Sequence, residues 1–140
     1  MIDINRLYNL AKQENITVEA FALNSREALS ITGADGQCYV AIDPQNITSL
    51  ADERTKLAHE LGHCMTGSFY NVYSSFDSRK RHENRADRWA IKKLIPEDEL
   101  KKAMANGYTA LWELADLFGV NEDFMRKAVS LYRYGNLYSA

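Results

Sequence analysis

The sequence predicts an α+β fold, and three observations carry that expectation. Three short β-like runs are gathered between residues 16 and 43, helical periodicity governs most of the chain after residue 48, and turn-forming residues separate the segments. With 140 residues, the chain is long enough for one domain with a real core and too short for two of ordinary size. Residues 1–140 are therefore expected to form a single domain. Residues 1–105 would carry a small sheet packed on helices, and 106–140 a helical C-terminal section.

Taken in order, Ile4, Leu7, Tyr8, Leu10 and Ala11 recur at helical spacing and predict an amphipathic helix over 3–14. ITVEAFAL (16–23), EALSIT (27–32) and QCYVAID (37–43) read as strands. Asn24-Ser25 and Gly33-Ala34-Asp35-Gly36 supply turn chemistry at hairpin spacing between them. Pro44 stops the third strand, and Thr48 or Ser49 can cap a helix running to about Thr66. A polar and aromatic loop over 67–77 leads to a second long helix over 78–95, ended by Pro96. Shorter helices are expected at 97–105, 110–118 and 122–134, parted by Asn106-Gly107 and Gly119-Val120-Asn121.

Composition narrows the function classes. With 46% hydrophobic and 26% charged residues and two prolines, the chain is an ordinary globular sequence rather than a disordered one. A net charge of -2 argues against a protein built to bind a phosphate backbone, so no nucleic acid partner is expected. No run approaches transmembrane length, and MIDINRLYNL lacks the basic and apolar regions of a signal peptide, so a cytoplasmic protein with no membrane partner is expected. Cys38 and Cys64 are too few for a disulfide framework and read, in a reducing compartment, as separate half-buried apolar residues. Cys64 follows the motif described next, but helix geometry turns it about 100° from His63, which argues against a ligand role.

Two of the three histidines fall in AHELGH, residues 58–63. On a helix His59 and His63 lie roughly 40° apart in azimuth and one turn apart along the axis, so both imidazoles leave the same face and can share one ion. Leu57, Leu61 and Cys64 mark a separate apolar stripe. Glu60 is offset from both histidines, placed to act on a water rather than to ligate. Gly62 costs about 1 kcal/mol relative to alanine inside a helix, which a close approach by substrate or a neighbouring helix would explain. Two histidines do not complete a catalytic metal site. Downstream, in HENRADRWA (82–90), Glu83 and Asp87 share a helix face, with Ala86 and Ala90 small enough for tight packing. That pair supplies a carboxylate ligand and, one turn later, a second carboxylate able to orient a ligating histidine. The bland alternative is a solvated helix on which Glu83 and Asp87 merely pair with Arg79, Arg85, Arg88 or Lys92.

LAHELGH (57–63), then E-x-x-A-D-x-W-A (83–90) and LIP (94–96), resembles the ImmA/IrrE family of small metallopeptidases from bacteria and phages. The resemblance runs from the YVAID strand through the last helix pair. It implies a zincin-like fold, one zinc (or manganese) held by His59, His63 and Glu83, Glu60 as general base, and Asp87 behind a ligand. The 19 residues between His63 and Glu83, and the aspartate four after that glutamate, also resemble the thermolysin-like glutamate-zincins. The chain departs from the family at Gly67, where another histidine is frequent, and at Trp89, where phenylalanine is commoner; neither removes a ligand. The family's usual substrates imply a protein partner, a helix-turn-helix transcriptional repressor of a mobile element or stress gene. The residues themselves add only that YVAID, if an exposed edge beside the site, offers an extended peptide a strand to pair with.

Other readings stand beside this one. TALWELADLFGVNEDFMRKAV (109–129) has the apolar spacing of a helix-turn-helix, but Glu113, Asp116, Glu122 and Asp123 surround its turn and oppose phosphate contact. SRKRHENR (78–85) is a basic run, read as a solvated face or a docking surface. His82 competes with Glu83 as a ligand but points about 100° away, and Tyr70, Tyr73 or His82 could steady a developing oxyanion. A regulator-binding protein with a purely structural metal is the alternative of a different class, opposed by the open fourth coordination position.

Overall fold

Polar side chains set where four of the helices begin. The computed structural model, which describes residues 1–71 and 73–138, contains α1 (Ile4–Gln13), β1 (Thr17–Ala20), β2 (Ala28–Thr32), β3 (Cys38–Ile42), α2 (Leu50–Thr66), α3 (Phe76–Leu94), α4 (Glu97–Ala105), α5 (Leu111–Phe118) and α6 (Glu122–Tyr134). The carboxylate of Asp3 accepts from the Asn5 amide, Ser49 from Asp52, Ser75 from Ser78 and Asn121 from Phe124, each satisfying an amide that the first turn leaves free. Helix α3 starts at Phe76 rather than at 78 because Ser75 takes the cap. Val72, within the expected 67–77 loop, lies outside the described residues, as do Ser139 and Ala140. This is the expected α+β class, with a small sheet and a helical C-terminal part.

The sheet corrects two expectations. Its order is β1-β3-β2, with β1 parallel and β2 antiparallel to β3. The turn Gly33–Gly36 closes a β2–β3 hairpin as expected, but Asn24-Ser25 closes none. Residues 21–27 instead step over the position that β3 fills. Asp43 fastens that step by accepting the Leu23 amide at 2.8 Å, and the Asn46 side chain donates to the carbonyls of Asn24 and Arg26. The YVAID strand is therefore central, not an edge; Val40 and Ile42, buried on its inner face, are the apolar residues that earn that place. The edge beside α2 is β2.

Cys38 and Cys64 are also corrected. They form a disulfide that ties β3 to the last turn of α2, their Cα atoms 5.8 Å apart, within the ordinary range for such a bond. The central position of β3 under α2 creates this proximity, which no local pattern encodes.

Leu7 of α1, Leu57 and Leu61 of α2, Ile91 of α3, Leu114 of α5 and Met125 of α6 form one buried cluster. The α5–α6 section is packed into it through Phe118, Val120, Phe124 and Ala128, and the Asn121 amide and side chain bond to Thr55 and Asp52 of α2. Helices α2 and α3 make the closest helix pair. A Cβ added at Gly62 would stand 2.5 Å from the carbonyl oxygen of Ala86, so the missing side chain is what lets α3 approach this near. No helix among the described residues is long and apolar enough to cross a membrane.

Candidate metal centre

The Gly62–Ala86 contact fixes the register of the two helices. It sets His59 and His63 of α2 opposite Glu83 and Asp87 of α3, which flank Ala86. His59 Nε2 lies 2.7 Å from Glu83 Oε2, and His63 Nε2 lies 3.1 Å from Glu83 Oε1. The two imidazoles stand edge to face with centroids 4.8 Å apart. One ligand atom from each of His59, His63 and Glu83 fits within 4.8 Å of the others, so the three converge on one point.

The outer ring nitrogens are held from behind. His59 Nδ1 is 2.7 Å from Asp87 Oδ1, and His63 Nδ1 meets the backbone carbonyl of Ser68. Both acceptors require an Nδ1–H, which leaves each Nε2 turned toward the common point. That is the tautomer a metal needs, and two imidazoles with a carboxylate, backed by acceptors, are a donor set that fits zinc. The Ser68 carbonyl reaches His63 because Gly67 ends α2 in the left-handed region at φ 64, folding the chain back under the ring. Gly67, the departure from the family pattern, thus has a local task that a β-carbon would strain.

The charges fit the same picture. Burial opposes a proton on His59, but hydrogen bonds to Asp87 and Glu83 outweigh it and hold the pKa up at about 10 in the metal-free protein. Burial would raise Glu83 and Asp87; hydrogen bonds from His59 to both, and from His63 to Glu83, overcome this and hold both carboxyls below their usual range. Asp87 also receives Lys127 Nζ of α6 at 3.1 Å. Glu60 is buried, and its Oε1 accepts the Ser30 hydroxyl of β2 at 2.8 Å. A hollow of about 360 Å³ beside His59, Asp87 and Lys127 and another of about 340 Å³ beside His63, Tyr70 and Ile31 share Arg26, Glu60 and Glu83 as common walls. The carboxylate pair therefore stands at the middle of an open cleft.

All five residues singled out in the motif and its partner helix are brought together. Of the three oxyanion candidates, Tyr70 reaches the site, its hydroxyl 2.8 Å from Glu83 Oε1. Tyr73 is 93% exposed, and His82 stacks on the Tyr70 ring rather than turning to the histidines. Cys64 is committed to its disulfide. Sequence reading missed Ser30, Ser68 and Lys127. Ser30 carried a signal: a hydroxyl on the inward-facing register of a strand, beside Ala28 and opposite Val40.

Two imidazoles one helical turn apart, met by a carboxylate from a second helix with a buried glutamate alongside, define the site class of a metal-dependent hydrolase. A family model described as the IrrE N-terminal-like domain of peptidase M78 matches residues 11–130, all but ten residues at each end. The chain belongs to that metallopeptidase family, in agreement with the resemblance read from LAHELGH and its partner helix. A comparison with the curated proteins finds no significant match.

Proposed function

We propose that the chain is a zinc-dependent endopeptidase that cuts a protein in the cytoplasm, a helix-turn-helix transcriptional repressor, with manganese as the alternative metal. The observation that carries this reading is the placement of Glu60: buried at the centre of the cleft, next to the His59–His63–Glu83 group and outside it. When bound, zinc would acidify water and polarise the scissile carbonyl. With Oε1 taken by Ser30, Glu60 offers Oε2 to accept the proton of the attacking water, then returns that proton to the departing amine nitrogen. Asp87 and the Ser68 carbonyl keep both imidazoles oriented throughout. Strand β2, with one edge not paired in the sheet and Ser30 and Ile31 lining the cleft, is where an extended peptide would add as a further strand. The repressor itself is suggested by the family resemblance alone.

The test is cleavage of the repressor encoded nearest to this chain's gene, read by gel and mass spectrometry with metal content measured in parallel. Glu60→Gln should keep fold and metal and lower the rate by roughly 10²–10⁴. Equal cleavage by variant and parent would dismiss the motif as catalytic centre and leave the regulator-binding reading in its place.

A further inference from the structure

Resting on the peptidase reading above, we propose that the Tyr70 hydroxyl is a catalytic hydrogen-bond donor, aimed at the oxygen of the scissile carbonyl as it takes up negative charge. The position of that hydroxyl carries the inference. It sits 2.8 Å from Glu83 Oε1, the atom that also lies 3.1 Å from His63 Nε2, so it is one hydrogen bond removed from the converging ligand atoms. It faces the half of the cleft lined by Ser30, Ile31, Glu60 and His63. Glu60 and Glu83 line that half too, so a carbonyl attacked by water that Glu60 deprotonates has room there, beside the ligand group and within the hollow that Tyr70 lines.

The ring is held for this task by two neighbours. His82 stacks on it with centroids 6.3 Å apart and planes 22° from parallel, and the Arg79 guanidinium carbon lies 6.0 Å from its centroid. These contacts explain why His82 shares the neighbourhood without being the donor: it is a platform for the ring. Tyr73, 93% exposed, is turned to solvent. A phenol has one proton to donate, and in the metal-free protein Glu83 receives it. A carboxylate that shares its charge with a cation is a weaker acceptor, whereas the developing oxyanion is a stronger one, so the donor's best partner changes as reaction proceeds. Interactions gained only in the transition state are the ones that raise the rate. The proton stays on Tyr70 throughout; no bond to it is broken.

The experiment compares the parent, Tyr70→Phe and Glu60→Gln on the same repressor at saturating zinc. Three quantities are measured: the single-turnover cleavage rate, the repressor dissociation constant in the Glu60→Gln background, and zinc affinity by competition with a chelating dye. Tyr70→Phe removes one oxygen from a partly exposed ring and leaves the stack on His82 in place. The expected result is a rate about 10²-fold lower, with repressor affinity and zinc affinity within about threefold of the parent, as order-of-magnitude bounds for an interaction absent from the ground state. A rate within about threefold of the parent would reduce Tyr70 to packing. Zinc affinity falling in step with the rate would make it a support for Glu83 and overturn the donor role. A parent that fails to cleave, matching Glu60→Gln, would overturn the peptidase reading and this one with it, a pattern distinct from a parent that cleaves as fast as Tyr70→Phe.

Discussion

Replacing Gly62 by alanine tests the helix contact on which the site depends. The added methyl would stand 2.5 Å from the Ala86 carbonyl oxygen and 3.0 Å from that residue's carbonyl carbon and Cα, whereas ordinary contact begins near 3.4 Å. Relief requires the helices to part by about 0.9 Å, the difference between those distances. Alanine returns about 1 kcal/mol of helix propensity, and overpacking costs about 1–3 kcal/mol. The net effect on folding is then a loss of about 0–2 kcal/mol, or up to roughly 8 °C in Tm for a domain of this size. The effect on metal binding is larger in proportion, because ligand distances tolerate only about ±0.2 Å. Glu83 and Asp87 flank Ala86 and move with it. Zinc affinity should fall at least about tenfold, the 1.4 kcal/mol that such a misfit readily exceeds. Thermal melts with and without zinc, together with chelator competition, measure both quantities. Ala86→Gly should not rescue the variant, since the obstructing atoms are backbone. A Gly62→Ala protein with raised Tm and parental zinc affinity would refute the close-contact argument.

Three further outcomes are expected. Elemental analysis of His63→Ala and Glu83→Ala should show loss of bound metal in both; full occupancy in Glu83→Ala would move the third ligand to Asp87 or His82. The raised pKa of His59, about 10 in the metal-free protein against about 6.5 unfolded, contributes stability that is complete below pH 6.5 and is lost as pH rises through 10. Zinc binding at pH 7.5 should accordingly release close to one proton from His59, read by calorimetry in buffers of different ionisation enthalpy, and a buffer-independent heat would contradict it. Alkylation without reductant followed by mass spectrometry should find Cys38 and Cys64 protected, and reduction should lower stability by about 3.5 kcal/mol for a loop of this length; free thiols in the unreduced protein would return the cysteines to their separate reading.

What was legible in the sequence is what helices encode locally. The spacing of His59 and His63, and of Glu83 and Asp87, fixes a shared face whatever the rest of the chain does, and Ser49, Gly67 and Pro96 bound the elements by chemistry that acts over one turn. The glycine at 62 was legible as a close approach, and the structure supplies the partner, the backbone of Ala86. Strand order was not legible, because Asn24-Ser25 and Gly33–Gly36 offer similar turn chemistry. The choice between them is made at a distance, by Asp43 and Asn46 gripping residues 23–26. The cysteine pair follows from that choice, since only a central β3 brings Cys38 under α2.

The same distinction explains the helix-turn-helix-like segment. Its apolar spacing was read correctly, but spacing does not say what the apolar face covers, and here it covers the common core through Phe118, Val120 and Phe124. Asn121, at the start of the would-be recognition helix, is bonded to Thr55 and Asp52 of α2, so that end is anchored to the site helix. One turn and a half later Lys127 meets the carboxylate that holds His59. Lys127 thus places a positive charge behind Asp87, the buried carboxylate that holds His59. Helix α6 is in this way part of the construction of the candidate metal centre, and the acidic residues that argue against DNA include one, Asp123, that lies 3.8 Å from the same lysine.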